Sequence, residues 1–278
     1  MEEWMKSKKT KAHSPTETPQ VQDVISYLSA FYHGLPVRIL PSALRFVPWD
    51  QTKKSTARST PRYVGLAIGN ECVGIRTRAS PDKVYPRQLN LDDLLDATIG
   101  MLPKDAYALC FLVDHDLFED ADDIFVCGRA YGVSRVAVLS SARYCPDLDA
   151  IQAALTAIST LPTPDPSVTA TEMSALWLAR MCRTASHELG HCFGVDHCVY
   201  HACIMQGSAS LSEDARQPPY LCPVDLSKIL HATGSSASSH YHAMLAFCEQ
   251  PHVKEAPFFR AFAAWIHAIL AQMSNSSH

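Results

Sequence analysis

The sequence predicts a mixed α/β (α+β) protein: a twisted mixed sheet packed on helices, followed by a small C-terminal helical subdomain. Three observations carry that expectation. A helical pattern over residues 89–101 leads straight into the apolar run 106–113, the helix-then-buried-strand rhythm of an α/β layer. Two further strand-like runs follow at 124–127 and 134–141. The chain of 278 residues is 47% apolar and only 19% charged, which suits a substantial core and excludes global disorder.

The elements follow in order. Residues 1–16 are polar, rich in Lys and then in Pro and Thr, and read as a solvated, disordered tail. The remainder, 17–278, is expected to form one domain, with an upper part over 17–194 and the C-terminal subdomain over 195–278. Val21, Val24, Ile25, Leu28 and Phe31 recur at helical spacing, and Gly34 and Pro36 stop that helix. Short apolar segments lie at 37–40 and 63–75, the second broken by Gly69-Asn70, a hairpin signal, with a loop at 51–61 between them. Asn90, Asp92 and Asp93 start a helix whose apolar side is Leu91, Leu94, Leu95 and Ile99. Residues 128–132 join the strands at 124–127 and 134–141, 149–159 form a short helix, and the proline-rich 161–167 is a linker. Residues 258–273 are interrupted by Arg260 and His267 and read as an amphipathic packing helix, too short and too polar for a membrane span.

Charge narrows the function. With 24 Lys+Arg against 28 Asp+Glu and no basic stripe, the chain lacks the electrostatic footprint of a nucleic-acid binder, and neither nucleic acid nor membrane is expected as a partner. A monomer is expected. The unusual counts are 13 His and 10 Cys. The N-terminal stretch has no apolar core of signal-peptide length, so the expected setting is intracellular, in the cytoplasm, where thiols stay reduced and clustered Cys and His point to metal.

Residues 186–205 read SHELGHCFGVDHCVYHACIM. His187, Glu188 and His191 form HExxH; on a helix, residues four apart stack on one side, so the two imidazoles converge on one ion. The stretch from Thr171 has no Gly or Pro, and Met173, Leu176, Trp177 and Met181 give it an apolar side. Gly194 is placed to take the left-handed conformation that ends a helix, and the returning chain brings His197 to the third ligand position. Three neutral imidazoles leave a fourth tetrahedral position for water, the mark of a catalytic rather than a structural zinc. Zinc-bound water activated by Glu188 would then attack a carbonyl, with Glu188 returning the proton to the leaving nitrogen.

Cys198, Cys203 and Cys222 follow at once and have the look of a second, structural zinc site. The fourth ligand is open: Asp225 stands three residues after Cys222, and His201 and His231 are also at hand. Three buried cysteines acting as small hydrophobes would give the same pattern without a metal.

HExxHxxGxxH followed by Cys198, Cys203, Met205 and the Cys222-Pro223 pair resembles the archaemetzincins, a branch of the metzincin metallopeptidases. The resemblance implies a metzincin-like fold whose active-site helix carries HExxH, with His187, His191 and His197 on the catalytic zinc and Glu188 as general base. It also implies a Met-turn at Met205 beneath the metal and a second zinc on Cys198, Cys203 and Cys222. The family's fourth cysteine is replaced here by Asp225. An edge strand that holds an extended peptide or protein substrate is implied near residues 128–139, a region that reads equally well as plain core sheet. The remaining cysteines (Cys72, Cys110, Cys127, Cys145, Cys182, Cys192 and Cys248) read mostly as core filling, His115 as part of a solvated loop, and His240 and His242 as surface residues. The expected function is zinc-dependent hydrolysis of peptide bonds. The alternatives are a zinc-stabilised binding or scaffold protein with little or no turnover, and hydrolysis of a bond other than the amide.

Overall fold

A computed structural model of the chain describes residues 16–41, 44–49, 62–151 and 169–275. Helix α1 spans Val21–Phe31. Strands β1 (Leu44–Pro48), β2 (Tyr63–Ile68), β3 (Glu71–Arg78) and β4 (Gln88–Asn90) precede helix α2 (Leu91–Met101). Strands β5 (Leu109–Val113), β6 (Leu117–Phe118), β7 (Gly128–Tyr131) and β8 (Val136–Ser140) follow it. Helices α3 (Ala170–Cys192), α4 (Leu211–Asp214), α5 (Pro223–Thr233), α6 (Ala237–Cys248) and α7 (Pro257–Asn275) complete the described chain. The chain falls into two compact units, one of Ile39–Arg143 and one of Ser14–Arg38 with Tyr144–His278.

The first unit is the α/β layer, and its strands form two sheets. One has the order β1-β2-β3-β4-β6 and the other β5-β8-β7. The hairpin expected at Gly69-Asn70 joins β2 to β3 antiparallel, with Ile68 opposite Glu71. Helix α2 begins where Asn90 accepts a hydrogen bond from the Asp93 amide, and it buries Leu91, Leu94 and Leu95 against Val64, Ile75, Val136 and Val138. Each such fully buried aliphatic side chain contributes about 1.5–3 kcal/mol, so this face fixes the layer.

Residues 37–40 form no strand, and 124–127 contribute only an isolated bridge between Val126 and Leu117. The strand instead lies at β7, where the residue pattern predicts a connection and the family resemblance an edge strand; β7 is the edge of its sheet and pairs antiparallel along β8 from Gly128–Leu139 to Tyr131–Val136. Short apolar runs do not separate strand from packed loop, and β7 is held by its ladder and by the Tyr131 hydroxyl donating to Asp92. His115 is buried, not on a solvated loop: its ring meets Phe46 edge-on at 5.0 Å and its carbonyl accepts from Ser140 Oγ. Beside it the buried Arg143 guanidinium donates to both Asp82 and Asp116, which neutralises a charge that burial would otherwise make costly.

The second unit is helical. Helix α3 opens with a capping box, Thr169 and Glu172 each satisfying the other's amide, and one side of it buries Trp177, Leu178, Met181, Cys182, Ala185 and Leu189. Helix α1 packs on α3 and α6 through Tyr27 and Phe31, and Tyr27, Phe247 and Phe259 form a ring cluster with centroids 5.4 to 6.5 Å apart. The amphipathic helix expected at 258–273 is α7, which buries Phe259, Phe262 and Ile266. No helix among the described residues is long and apolar enough to cross a membrane.

His240 is buried, contrary to its reading as a surface residue, because α6 turns that side chain toward Phe31 and Tyr241; His242, two positions on, is exposed. Thr16, counted with the tail, is buried and donates to Asp147. The rest of that tail, the loop at 51–61 save its neighbour Arg62, the helix beyond Ile151 and the linker at 161–167 lie outside the described residues.

Candidate metal centres

The final turns of α3 carry His187, Glu188 and His191. The helix closes in a Schellman arrangement, with the Val195 amide donating to Gly190 O at 3.1 Å and the Gly194 amide to His191 O at 3.0 Å. That closure needs φ of +76° at Gly194, which only glycine adopts without strain. The same turn orients a ligand: Val195 O lies 2.7 Å from His191 Nδ1. His187 Nδ1 is held likewise by Ile204 O at 2.8 Å. Each carbonyl fixes the proton on Nδ1 and leaves Nε2 with its lone pair free, the arrangement found behind metal-bound imidazoles.

The returning chain brings His197 to the pair. Nε2 of His187 lies 3.1 Å from that of His191 and 3.3 Å from that of His197. Three nitrogens at roughly 2.0–2.1 Å from a tetrahedral zinc would be about 3.3 Å apart; both edges at His187 match that spacing, and all three donor atoms lie within 4.8 Å of one another, so the set can hold one ion. Burial pushes the His187 imidazole down to about 4, the neighbouring rings adding to the effect and the Ile204 carbonyl opposing it. Burial also lowers His191. Both are therefore neutral at pH 7, the form that binds metal. Glu188 is half-buried and sits three residues before His191, on the same side of the helix. Met205 is fully buried against Gly190, where a Cβ would lie 2.5 Å from its sulfur.

A second cluster forms from Cys198, Cys203, Cys222 and Asp225, whose donor atoms all lie within 4.8 Å of one another. Cys198 Sγ is 4.0 Å from Cys222 Sγ, and Asp225 Oδ2 is 3.4 Å from the sulfurs of both Cys203 and Cys222. A tetrahedral zinc with thiolates at roughly 2.3 Å and an oxygen near 2.0 Å would set those edges at about 3.8 and 3.5 Å, so this set fits as well. Neither His201 nor His231 belongs to it. Cys222 caps α5 and accepts from the Asp225 amide, while Cys203 accepts from the amides of Cys222 and Met205. Burial, only partly offset by those amides, pushes the Cys203 thiol up to about 12. All ten cysteines of the chain are free of disulfides; of those expected in the core, Cys72 is exposed.

Sequence reasoning did not find the carbonyls of Val195 and Ile204, which leave no trace in residue type. It also passed over Lys228, whose ammonium lies 3.0 Å from Asp225 Oδ1; its spacing of three residues within α5 was the available signal.

What the fold and these groups define is a mixed α/β protein with a three-imidazole metal cradle and a neighbouring thiol-carboxylate set on the same chain segment. Residues 114–230, a span containing both, match the model of peptidase family M54. Archaemetzincin-2 of Homo sapiens is 32% identical over 174 residues, 60% of this chain and 48% of the relative. Archaemetzincin-2 of Pongo abelii is 28% identical over 232 residues, 81% and 57% of the two chains. Archaemetzincin-1 of Rattus norvegicus is 31% identical over 233 residues, 80% and 41%. The chain thus spans about half the length of the curated relatives it matches. Among solved structures, archaemetzincin from Methanopyrus kandleri is similar over 52% of this chain and 65% of its own, at 28% identity and a TM-score of 0.38. The chain is thus similar to archaemetzincins over about four-fifths of its own length.

Proposed function

We propose that this chain is a zinc-dependent peptidase acting on peptide or protein substrates, with its metal on His187, His191 and His197. The observation that carries the reading is the convergence of three imidazoles within 4.8 Å, with His187 Nε2 at tetrahedral spacing from the other two and two of the rings with Nδ1 already tied to a backbone carbonyl. Zinc bound there would supply Lewis acidity toward water and a substrate carbonyl. His187 and His191 contribute neutral, pre-oriented donors, so little reorganisation accompanies binding. Glu188 would accept the proton of the attacking water and deliver it to the departing amine nitrogen, the role its place on the His191 side of α3 suits. A binding module has no comparable need for that carboxylate.

The second cluster would hold a structural zinc on Cys198, Cys203, Cys222 and Asp225, tying the segment after His197 to the start of α5. Its thiols require a reducing compartment, which supports an intracellular setting.

Chelation tests the main reading. Removing zinc is expected to abolish cleavage of a peptide library while far-UV circular dichroism retains the helical signal of α3, and added zinc restores cleavage. Undiminished cleavage by the metal-free chain would overturn it, and so would zinc-replete protein with no turnover of any peptide.

A further inference from the structure

The carboxylate at position 225 turns its two oxygens to different neighbours. Oδ2 faces the sulfurs of Cys203 and Cys222, each at 3.4 Å, whereas Oδ1 is taken by Lys228 Nζ at 3.0 Å. We propose that Asp225 serves the second site as a one-oxygen ligand through Oδ2, and that Lys228 is the positioning residue that holds the other oxygen and offsets its charge. This rests on the second-metal reading above and extends it to a residue outside the ligand set.

The need for such a residue follows from the chemistry of the donor. A cysteine offers one sulfur and nothing more. A carboxylate brings a second oxygen, which either competes for the ion or requires a partner of its own. Lys228 is three residues along α5 from Asp225, so the two share a helix face. The Asp225 side chain is 6% exposed and that of Lys228 53%, so the ammonium keeps its water while the carboxylate has none to turn to. Charge points the same way. Three thiolates and a carboxylate carry four negative charges against two on a divalent ion, and Lys228 removes one of the two left over. An ordinary helix ion pair beside an acidic N-terminal turn would account for the Lys228 contact but predicts no effect on metal.

Cobalt titration of the full chain separates these readings, because sulfur-to-cobalt charge transfer in the near ultraviolet reports thiolate-bound ion and is silent for the histidine site. Lys228→Met is expected to weaken cobalt at the thiolate site by about 10-fold or more, the range found for partners of metal ligands, and Lys228→Arg to restore most of it. In an Asp225→Cys background, where no second oxygen exists, Lys228→Met is expected to change affinity less than about twofold. Equal affinity for wild type and Lys228→Met overturns the role of Lys228 alone, as does the same loss in both backgrounds, which would mark a general effect on α5. Absence of the charge-transfer band from the wild type overturns the second site itself, and the role of Lys228 with it.

Discussion

The two clusters lie on one stretch of chain yet are built by opposite means. Two of the three histidines come from adjacent turns of α3, and carbonyls of Val195 and Ile204 fix their protons before any ion arrives. The thiol-carboxylate set draws on the segment after His197, on Cys203 and on the first turn of α5. Its members are like charges once deprotonated, and burial holds the Cys203 thiol up at about 12. The imidazole site is therefore preformed by neutral groups, whereas the proposed thiol site would be complete only when an ion displaces its protons. A preformed cradle of three donors would suit turnover; a set of four donors that forms with its ion would suit structure.

The largest expected effect breaks the comparison at its functional end. Glu188→Gln should lower peptidase turnover by roughly 10²–10⁴-fold, the usual share of general acid–base catalysis, while zinc per chain by atomic absorption stays at the wild-type value. Full activity with zinc retained would remove Glu188 from the mechanism. Next come the ligands. His191→Ala should lose one zinc and keep the thiolate-bound ion, and Cys203→Ser should lose one and keep the histidine-bound ion. If Cys203→Ser leaves total zinc unchanged, the second cluster is a group of buried thiols without metal.

Legibility in the sequence followed the same division. HExxHxxGxxH is a spacing on one helix and one turn, so His187, His191, Gly194 and His197 can be placed from periodicity alone, and Gly194 takes the left-handed φ its position requires. The helices α1, α2, α3 and α7 are likewise visible, because apolar residues at 3.6-residue spacing have few competing readings. Strands were harder. β1 and β7 are four or five residues long and owe their state to partners distant in the chain, whereas the apolar run at 124–127 finds no ladder. His115 and His240 were misplaced because a lone imidazole beside polar residues carries no sign of the face it will occupy. Lys228 is not legible in the sequence because its meaning depends on which oxygen of Asp225 faces the sulfurs, a matter of side-chain orientation that spacing does not encode.

A third prediction uses His240 as a buried imidazole with no ion to bind. Burial pushes it down to about 4 from the ordinary 6.5, against a hydrogen bond to the Phe31 backbone that opposes the shift. Between those values the unfolded chain binds a proton that the folded chain does not. The stability difference is fully present at neutral pH and is lost as pH falls from about 6.5 toward 4, by at most about 3.5 kcal/mol at ~1.4 kcal/mol per pKa unit. His240→Gln keeps an N–H donor for Phe31 and cannot titrate, so urea denaturation should show a shallower fall over that window than in the wild type. Parallel curves would mean that His240 is not the group responsible, and acid loss of the fold would then have to be sought at the metal clusters.

The smallest expected effect asks how separate the two sites are. Cys203 and Ile204 are neighbours, and Ile204 O lies 2.8 Å from His187 Nδ1, so emptying the thiol site would reach the histidine site through a single residue. The peptide units on either side of that carbonyl have anchors of their own: the Ile204 amide donates to Tyr220 O at 2.8 Å, and the Cys198 amide to Met205 O at 2.8 Å. With those backbone bonds in place the carbonyl moves little when the second ion leaves. Cys203→Ser should therefore weaken zinc at the histidine site by no more than a few fold, under ~1 kcal/mol, measured by competition with a chromophoric chelator for the one equivalent the variant retains and for the histidine-bound equivalent of the wild type. A loss of tenfold or greater would mean that the thiol site supplies the rigidity credited here to the carbonyls, and that the cradle is preformed only on condition that its neighbour is filled.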